Sequence, residues 1–146
     1  TCVPGLLTEK EATRLWLSVA ENPAIDCIGH SEQQNYRYDY DLVTKAFAAN
    51  HKVVELNGNS FNVRKDGIPN MRALVRACLK NGCRIALDTD AHSTRQLREN
   101  MQPLVTLLEE VDYPSELVVN ASCQALVETL KLHRRASAEE IGGLLQ

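Results

Sequence analysis

No run among the 146 residues approaches the roughly 20 consecutive apolar side chains that a membrane-spanning helix needs, and the first residues lack the basic-then-apolar order of a secretion signal. A soluble, cytoplasmic protein is the expectation. The sequence also has no excess of positive charge: 16 Lys and Arg stand against 19 Asp and Glu, a net charge of −3, so there is no electrostatic footprint for nucleic acid. Any substrate charge has to be met locally, by a metal or a few basic side chains. There is no CxxC pair. The five cysteines, Cys2, Cys27, Cys78, Cys83 and Cys123, are odd in number and scattered. Cys27 and Cys78 sit in apolar patterns, which favours reduced structural thiols over a disulfide framework. Asn120-Ala121-Ser122 forms a glycosylation sequon, read as chance without a secretion signal. A phosphate-binding P-loop, a GxGxxG fingerprint, a nucleophile elbow and a Cys–His pair are all missing.

What is present is one domain's worth of chain, 44% hydrophobic and 24% charged, enough to build a core. Thr1 to Leu7 suggests neither helix nor strand. Thr8 and Glu11 then form a capping box, and Ala12, Leu15, Trp16, Val19 and Ala20 follow at the spacing of one buried helix face. Ile25 to Ile28 reads as a short strand ending in Gly29-His30. A tyrosine-rich loop over 33–40 leads to a helix with Leu42, Val43, Ala46 and Phe47 inward. Val53 to Leu56 is a second strand, ending in Asn57-Gly58-Asn59-Ser60. Pro69 opens a helix with Met71, Leu74, Val75, Cys78 and Leu79 inward, and Gly82 closes it. Ile85 to Leu87 is a third strand, running into Asp88-Thr89-Asp90-Ala91-His92. Pro103 is expected in the first turn of the next helix, with Leu104, Val105, Leu107 and Leu108 inward. Val118 to Asn120 is a candidate fourth strand. Helices over 122–133 and 138–145 follow, the latter with a Ser137/Glu140 capping box. Strands and helices alternating about every 30 residues argue for a parallel α/β sheet or barrel segment.

In such architectures the functional groups gather at the C-terminal ends of the strands, where the βα-loops share one face. Those ends deliver His30, then Asn57 and Asn59, then Asp90 and His92. Asp90-x-His92 offers a carboxylate and an imidazole, a donor set suited to Zn²⁺, Mn²⁺ or Fe²⁺. The same spacing also fits a helix cap followed by an exposed loop histidine. His30 is open to the parallel choice between ligand and hydrogen-bonded loop residue. Arg64 and Lys65, in the loop after the second strand, suit a phosphate oxygen or a solvated surface equally. Glu55, in mid-strand, needs a partner or a ligand to orient. Asp88 is either another strand-end carboxylate or part of the turn. His51, on the opposite rim, and His133, at a helix C-terminus, read as structural.

As an ordered set, Ile28-Gly29-His30, Val54-Glu55-Leu56-Asn57-x-x-Ser60-Phe61 and Ala86-Leu87-Asp88-Thr89-Asp90-Ala91-His92 resembles the last three strands of the PHP (polymerase and histidinol phosphatase) superfamily, in particular its YcdX-type phosphatases. Val111-Asp112-Tyr113-Pro114 and Val119-Asn120-Ala121-Ser122 extend the likeness to about residue 133. The resemblance implies three to four βα units from the C-terminal part of a distorted seven-stranded (β/α) barrel. It also implies a metal-dependent phosphoesterase acting on a phosphorylated small molecule, with three divalent ions in the intact site. His30, Asp90 and His92 would be metal ligands, and Asn57, Asn59, Arg64 and Lys65 substrate-binding candidates. Ser31 stands where the family usually has proline. The family's earlier histidines and bridging glutamate have no counterpart here and would lie upstream, one of them immediately before Thr1.

Two expectations follow from that incompleteness. The three ligands would serve three different ions, so these residues alone should hold metal weakly and hydrolyse little. A partial barrel also leaves sheet edges open, to be paired with a second copy or covered by the chain's own terminal helices. A non-catalytic module of the same fold is the alternative.

Overall fold

The computed structural model describes residues 7–133 and 137–144; the expectation for the segment before Leu7 therefore lies almost entirely outside the described residues. The chain is mixed α/β. Helix α1 (Glu9–Glu21) leads to strand β1 (Cys27–Ile28), α2 (Tyr40–Ala49), β2 (Val53–Asn57), a short α3 (Ser60–Val63), α4 (Ile68–Asn81), β3 (Arg84–Asp88), α5 (Thr94–Glu109), α6 (Cys123–Leu132) and α7 (Ser137–Gly143). The three strands form one parallel sheet in the order β1-β2-β3. Ile28 pairs with Val54 and Leu56 with Leu87, so one in-register row of apolar side chains faces the helices. The alternate row brings Glu55 opposite Ala86 and Asn57 opposite Asp88.

Local chemistry sets the helix ends. Thr8 accepts from the Glu11 amide while Glu11 returns a bond to the Thr8 amide, the capping box expected for α1. Asp39 caps α2 and Ser122 caps α6 in the same way, by accepting from Leu42 and Ala125. Gly82 ends α4 in the left-handed region at φ 64°, where a side chain would be strained. The box expected at Ser137 and Glu140 depends on the Ser137 side chain, which is outside the described set.

The core lies between the sheet and α1, α2, α4 and α5. Phe47, Leu56, Met71, Leu74, Ile85 and Leu104 are fully enclosed, each contributing about 1.5–3 kcal/mol by leaving water. Trp16 packs edge-on against Phe47 and tilts onto Tyr38. The buried ammonium of Lys52 donates to the carbonyls of Asn22 and Ile25, at 2.6 Å each, and so fixes the turn between α1 and β1.

Several expectations need correction. Pro103 does not open α5; it is the tenth residue of a helix that starts at Thr94. The Gln96 side chain reaches back to the His92 amide at 2.7 Å and fixes the true start. Pro103 has no N–H, so the carbonyl of Glu99 loses its helical donor, which is tolerable because Glu99 is exposed to water. Leu42 is 47% exposed, and Thr44 takes the inward place because its hydroxyl is satisfied by the Tyr40 carbonyl. Leu15 likewise lies at the margin of the α1 face, 42% exposed. Cys27 is exposed on the strand row facing away from the helices. Cys27, Cys78, Cys83 and Cys123 are all free thiols.

The fourth strand shrinks to one bridge between Val118 and Ile85. Beyond it, Asn120 donates to the Leu87 carbonyl (2.7 Å) and accepts from the Leu87 amide (3.0 Å), so one carboxamide completes the edge of β3. That edge is covered by 118–120 rather than by the terminal helices. No helix among the described residues is long and apolar enough to cross a membrane.

Candidate functional site

The carboxyl ends of the three strands form one polar rim. His30 follows β1 and Asp90 follows β3, and both adopt positive φ, 54° and 45°. Non-glycine residues rarely do so, although His and Asp tolerate it better than most. His51 at 57° and Asp112 at 50° do the same away from this rim, so positive φ does not by itself mark a site.

Each of these two positions has its own set of hydrogen bonds. The His30 amide donates to the Glu55 carboxylate at 3.0 Å, and the Asn57 carboxamide donates to the other Glu55 oxygen at 3.4 Å. Asn59 donates to Asp90 at 3.3 Å, and His92 Nε2 lies 3.9 Å from the second Asp90 oxygen. The Asp88 carboxylate accepts from the Asp90 amide, which folds the chain back at this turn. The expected candidates His30, Asn57, Asn59, Asp90 and His92 thus share one rim.

Their electrostatics differ. Asn59, then Asn57, His92 and Arg64, hold the Asp90 carboxyl below its ordinary value. Burial pushes Glu55 the other way; the His30 amide partly offsets this, and the neighbouring Asp88 carboxyl raises it further.

The rim also contains residues that sequence reasoning missed. Glu32 is 1% exposed, its carboxylate accepting from the Ser60 hydroxyl at 2.7 Å while its second oxygen has no partner. Buried carboxylates are rare unless paired. The buried Nδ1 of His30 makes no hydrogen bond either; it lies 3.7 Å from Glu55 and 4.0 Å from Glu32. His30-x-Glu32 repeats the spacing of Asp90-x-His92, and that signal was available. Asn100, on α5, had no such signal. It is 1% exposed, donates to the Thr89 carbonyl at 2.7 Å and accepts from Asn62 at 3.0 Å, so it ties together the loops after β3 and β2.

Arg64 stands beside the rim, its guanidinium 3.4 Å from the Ser60 hydroxyl. Lys65 is exposed, with no side-chain partner among the described residues. On the opposite rim, His133 bridges the Asp26 carboxylate and the His51 carbonyl, both at 2.7 Å, a structural latch for α6.

His30, Asp90 and His92 have the chemistry of ligands for borderline divalent ions. They do not form a complete site: among the described residues no three His, Cys, Asp or Glu side chains converge to hold an ion.

The chain is thus a mixed α/β protein with a small parallel sheet and polar groups gathered at its strand ends. The chain is similar to proteins named "Probable phosphatase". One from Caldicellulosiruptor saccharolyticus is 35% identical over 133 residues, covering 90% of this chain and 54% of the relative. One from Acetivibrio thermocellus is 36% identical over 124 residues, 85% of this chain and 51% of the relative. A third, from Clostridium botulinum, is 27% identical over 128 residues, 88% and 51%. The chain therefore spans about half the length of these curated relatives. No protein-family model matches it.

Proposed function

We propose that these residues are the C-terminal part of a metal-dependent phosphoesterase of the PHP type. The observation that carries the reading is the gathering of His30, Glu55, Asn57, Asn59, Asp90 and His92 at the strand ends, with the His30 amide donating to Glu55 and Asn59 donating to Asp90. The likeness to proteins named as phosphatases supports the same conclusion.

In this reading His30, Asp90 and His92 each give one donor to a cluster of divalent ions, and the remaining ligands come from the other half of a longer protein. Such ions, when bound, supply positive charge to a phosphoryl group and acidify a bound water. The residues of this chain orient the donors. Asn59 donates to Asp90 and so orients its carboxylate, and Asn100 fixes the turn on which Asp90 and His92 sit. Glu32 and Glu55 place negative charge beside Nδ1 of His30, at 4.0 and 3.7 Å. Arg64 and Lys65 add positive charge for a substrate phosphate. The sheet is, on this proposal, a segment of a barrel completed by the missing strands.

The test is elemental analysis and phosphate release from phenyl phosphate for the full-length protein, beside its Asp90→Asn and His92→Ala variants and beside the 146-residue chain. Bound divalent metal and activity are expected in the full-length protein, with both strongly reduced in the variants and absent from the short chain. A metal-free active protein, or full activity in His92→Ala, overturns the proposal. An inactive, metal-free parent favours the non-catalytic module.

A further inference from the structure

Next to the rim, the loop after β1 and the loop after β2 enclose a half-open cavity of about 150 Å³, lined by Gln33, Gln34, Asn35, Arg64 and Asp66. It lies on the strand-end side of the sheet: Gln33 follows Glu32 directly, and its amide closes a turn onto the His30 carbonyl at 3.3 Å. Arg64 connects the two regions, because it lines the cavity and also reaches the Ser60 hydroxyl that Glu32 holds.

The lining has a narrow chemistry. Three carboxamides bring three acceptors and three pairs of N–H donors, the guanidinium adds donors, and the carboxylate adds acceptors. The side chains of Gln33, Gln34, Asn35 and Asp66 make no hydrogen bond within the described residues, so a ligand would displace only water from them. One cation faces one anion. A second phosphate would meet Asp66 and find only one compensating charge, which disfavours a bisphosphate. All five lining side chains carry polar ends. Hydroxyl groups, which donate and accept in turn, match this set. At about 30 Å³ for each water-sized group, the cavity of about 150 Å³ takes roughly five such groups, and its open side lets a longer hydroxylated chain extend out of it.

We propose that this cavity binds the hydroxylated part of a phosphomonoester, making polyol or sugar phosphates the substrate class and Gln33, Gln34 and Asn35 the residues that select them. The proposal rests on the phosphoesterase reading of the rim. It assigns the cavity to the leaving group and the rim to the phosphoryl group, with Arg64 at the boundary.

The experiment compares kcat/KM for sorbitol phosphate and phenyl phosphate in the full-length protein and in a Gln34→Ala/Asn35→Ala variant. Both side chains are exposed, so the fold should survive, and a thermal melt checks this. The parent is expected to prefer sorbitol phosphate. The variant should lose on the order of tenfold on that ester, the scale of one or two hydrogen bonds, with phenyl phosphate unchanged. No preference in the parent, no loss in the variant, or an equal loss on both esters overturns the inference while leaving the phosphoesterase reading intact. If neither ester is hydrolysed, that reading fails, and a titration of ¹⁵N-labelled chain with sorbitol decides the cavity separately. Shifts confined to the Gln33, Gln34 and Asn35 side-chain amides support the site; their absence rejects it.

Discussion

Gly58→Ala separates two opposite expectations for a single added methyl group. Gly58 follows β2, and its amide donates to the Asp88 carbonyl at 2.7 Å. Its φ is not positive, since Gly82 is the positive-φ glycine among the described residues. Conformation alone therefore permits alanine, and by reducing the entropy of the unfolded chain the change would stabilise by about 0.4–1 kcal/mol. Space decides otherwise. A Cβ at this position falls 2.0 Å from the Asn100 carbonyl oxygen and 2.7 Å from its carbon, whereas real contacts do not go below 3.0 Å. Both are backbone atoms in the middle of α5, so no rotamer change relieves the clash. Either the helix or the end of β2 has to move by about an ångström. Overpacking of this kind costs about 1–3 kcal/mol, and a backbone obstacle belongs at the upper end. A net loss of about 2 kcal/mol is expected. With a urea slope of about 1–3 kcal/mol per molar, the midpoint falls by roughly 0.7–2 M. Urea unfolding followed by circular dichroism measures this, and amide shifts of Asn59 and Asp90 report whether the rim moved. An unchanged or higher midpoint refutes the argument, because the close approach of Gly58 to α5 would then not exist.

Removing Asn100 by Asn100→Ala leaves the Thr89 carbonyl and Asn62 without partners; a loss of about 1–3 kcal/mol and faster hydrogen exchange at Asp90 are expected. Asn120→Ala opens the edge of β3, and the Leu87 amide should lose exchange protection while β2 keeps its own. Acid should weaken the fold through Glu11, Asp41 and Glu110, whose carboxyls are lowered chiefly by Thr8, Lys80 and Arg72. Their stabilising contribution is complete above the ordinary carboxylate values near 4 and is lost as pH falls through the lowered values. Melts from pH 7 downward, with the Asp41→Asn variant alongside, check this; a parallel decline in both overturns the role of Asp41. Glu55 has the opposite sign. Its raised value favours folding below the ordinary glutamate range, and that benefit is lost as pH rises through the raised value. Glu55→Gln should flatten the stability profile there, and an unchanged profile would contradict it.

Sequence made some features legible because a local rule governed them. The Thr8/Glu11 box, the Ser122 cap, the Gly82 stop and the inward face of α4 each depend on residues within a turn or two. The strand-end rule likewise brought His30, Asn57, Asn59, Asp90 and His92 onto one rim without any knowledge of their contacts. Pro103 misled because proline prefers the first turn, whereas α5 starts where Gln96 accepts from the His92 amide, a bond outside the usual capping spacing. Thr44 displaced Leu42 because the helix's own carbonyl satisfied the hydroxyl, a bond that hydropathy does not register. Asn100 was illegible for a different reason: its partners, Thr89 and Asn62, lie 11 and 38 residues away, and only the packed fold brings them to it.

The left-handed backbone at His30 and Asp90 determines how the rim can be probed. Alanine at either position would keep the positive φ while removing the imidazole or carboxylate that tolerates it, adding a conformational penalty to whatever chemistry is lost. An alanine scan would then report backbone strain as if it were function. Asparagine accepts the same φ with a short neutral side chain, and glycine accepts it with none. Comparing the asparagine and glycine variants with alanine at each position turns the strain into an internal control: a defect common to all three belongs to the missing donor, and a defect confined to alanine belongs to the backbone.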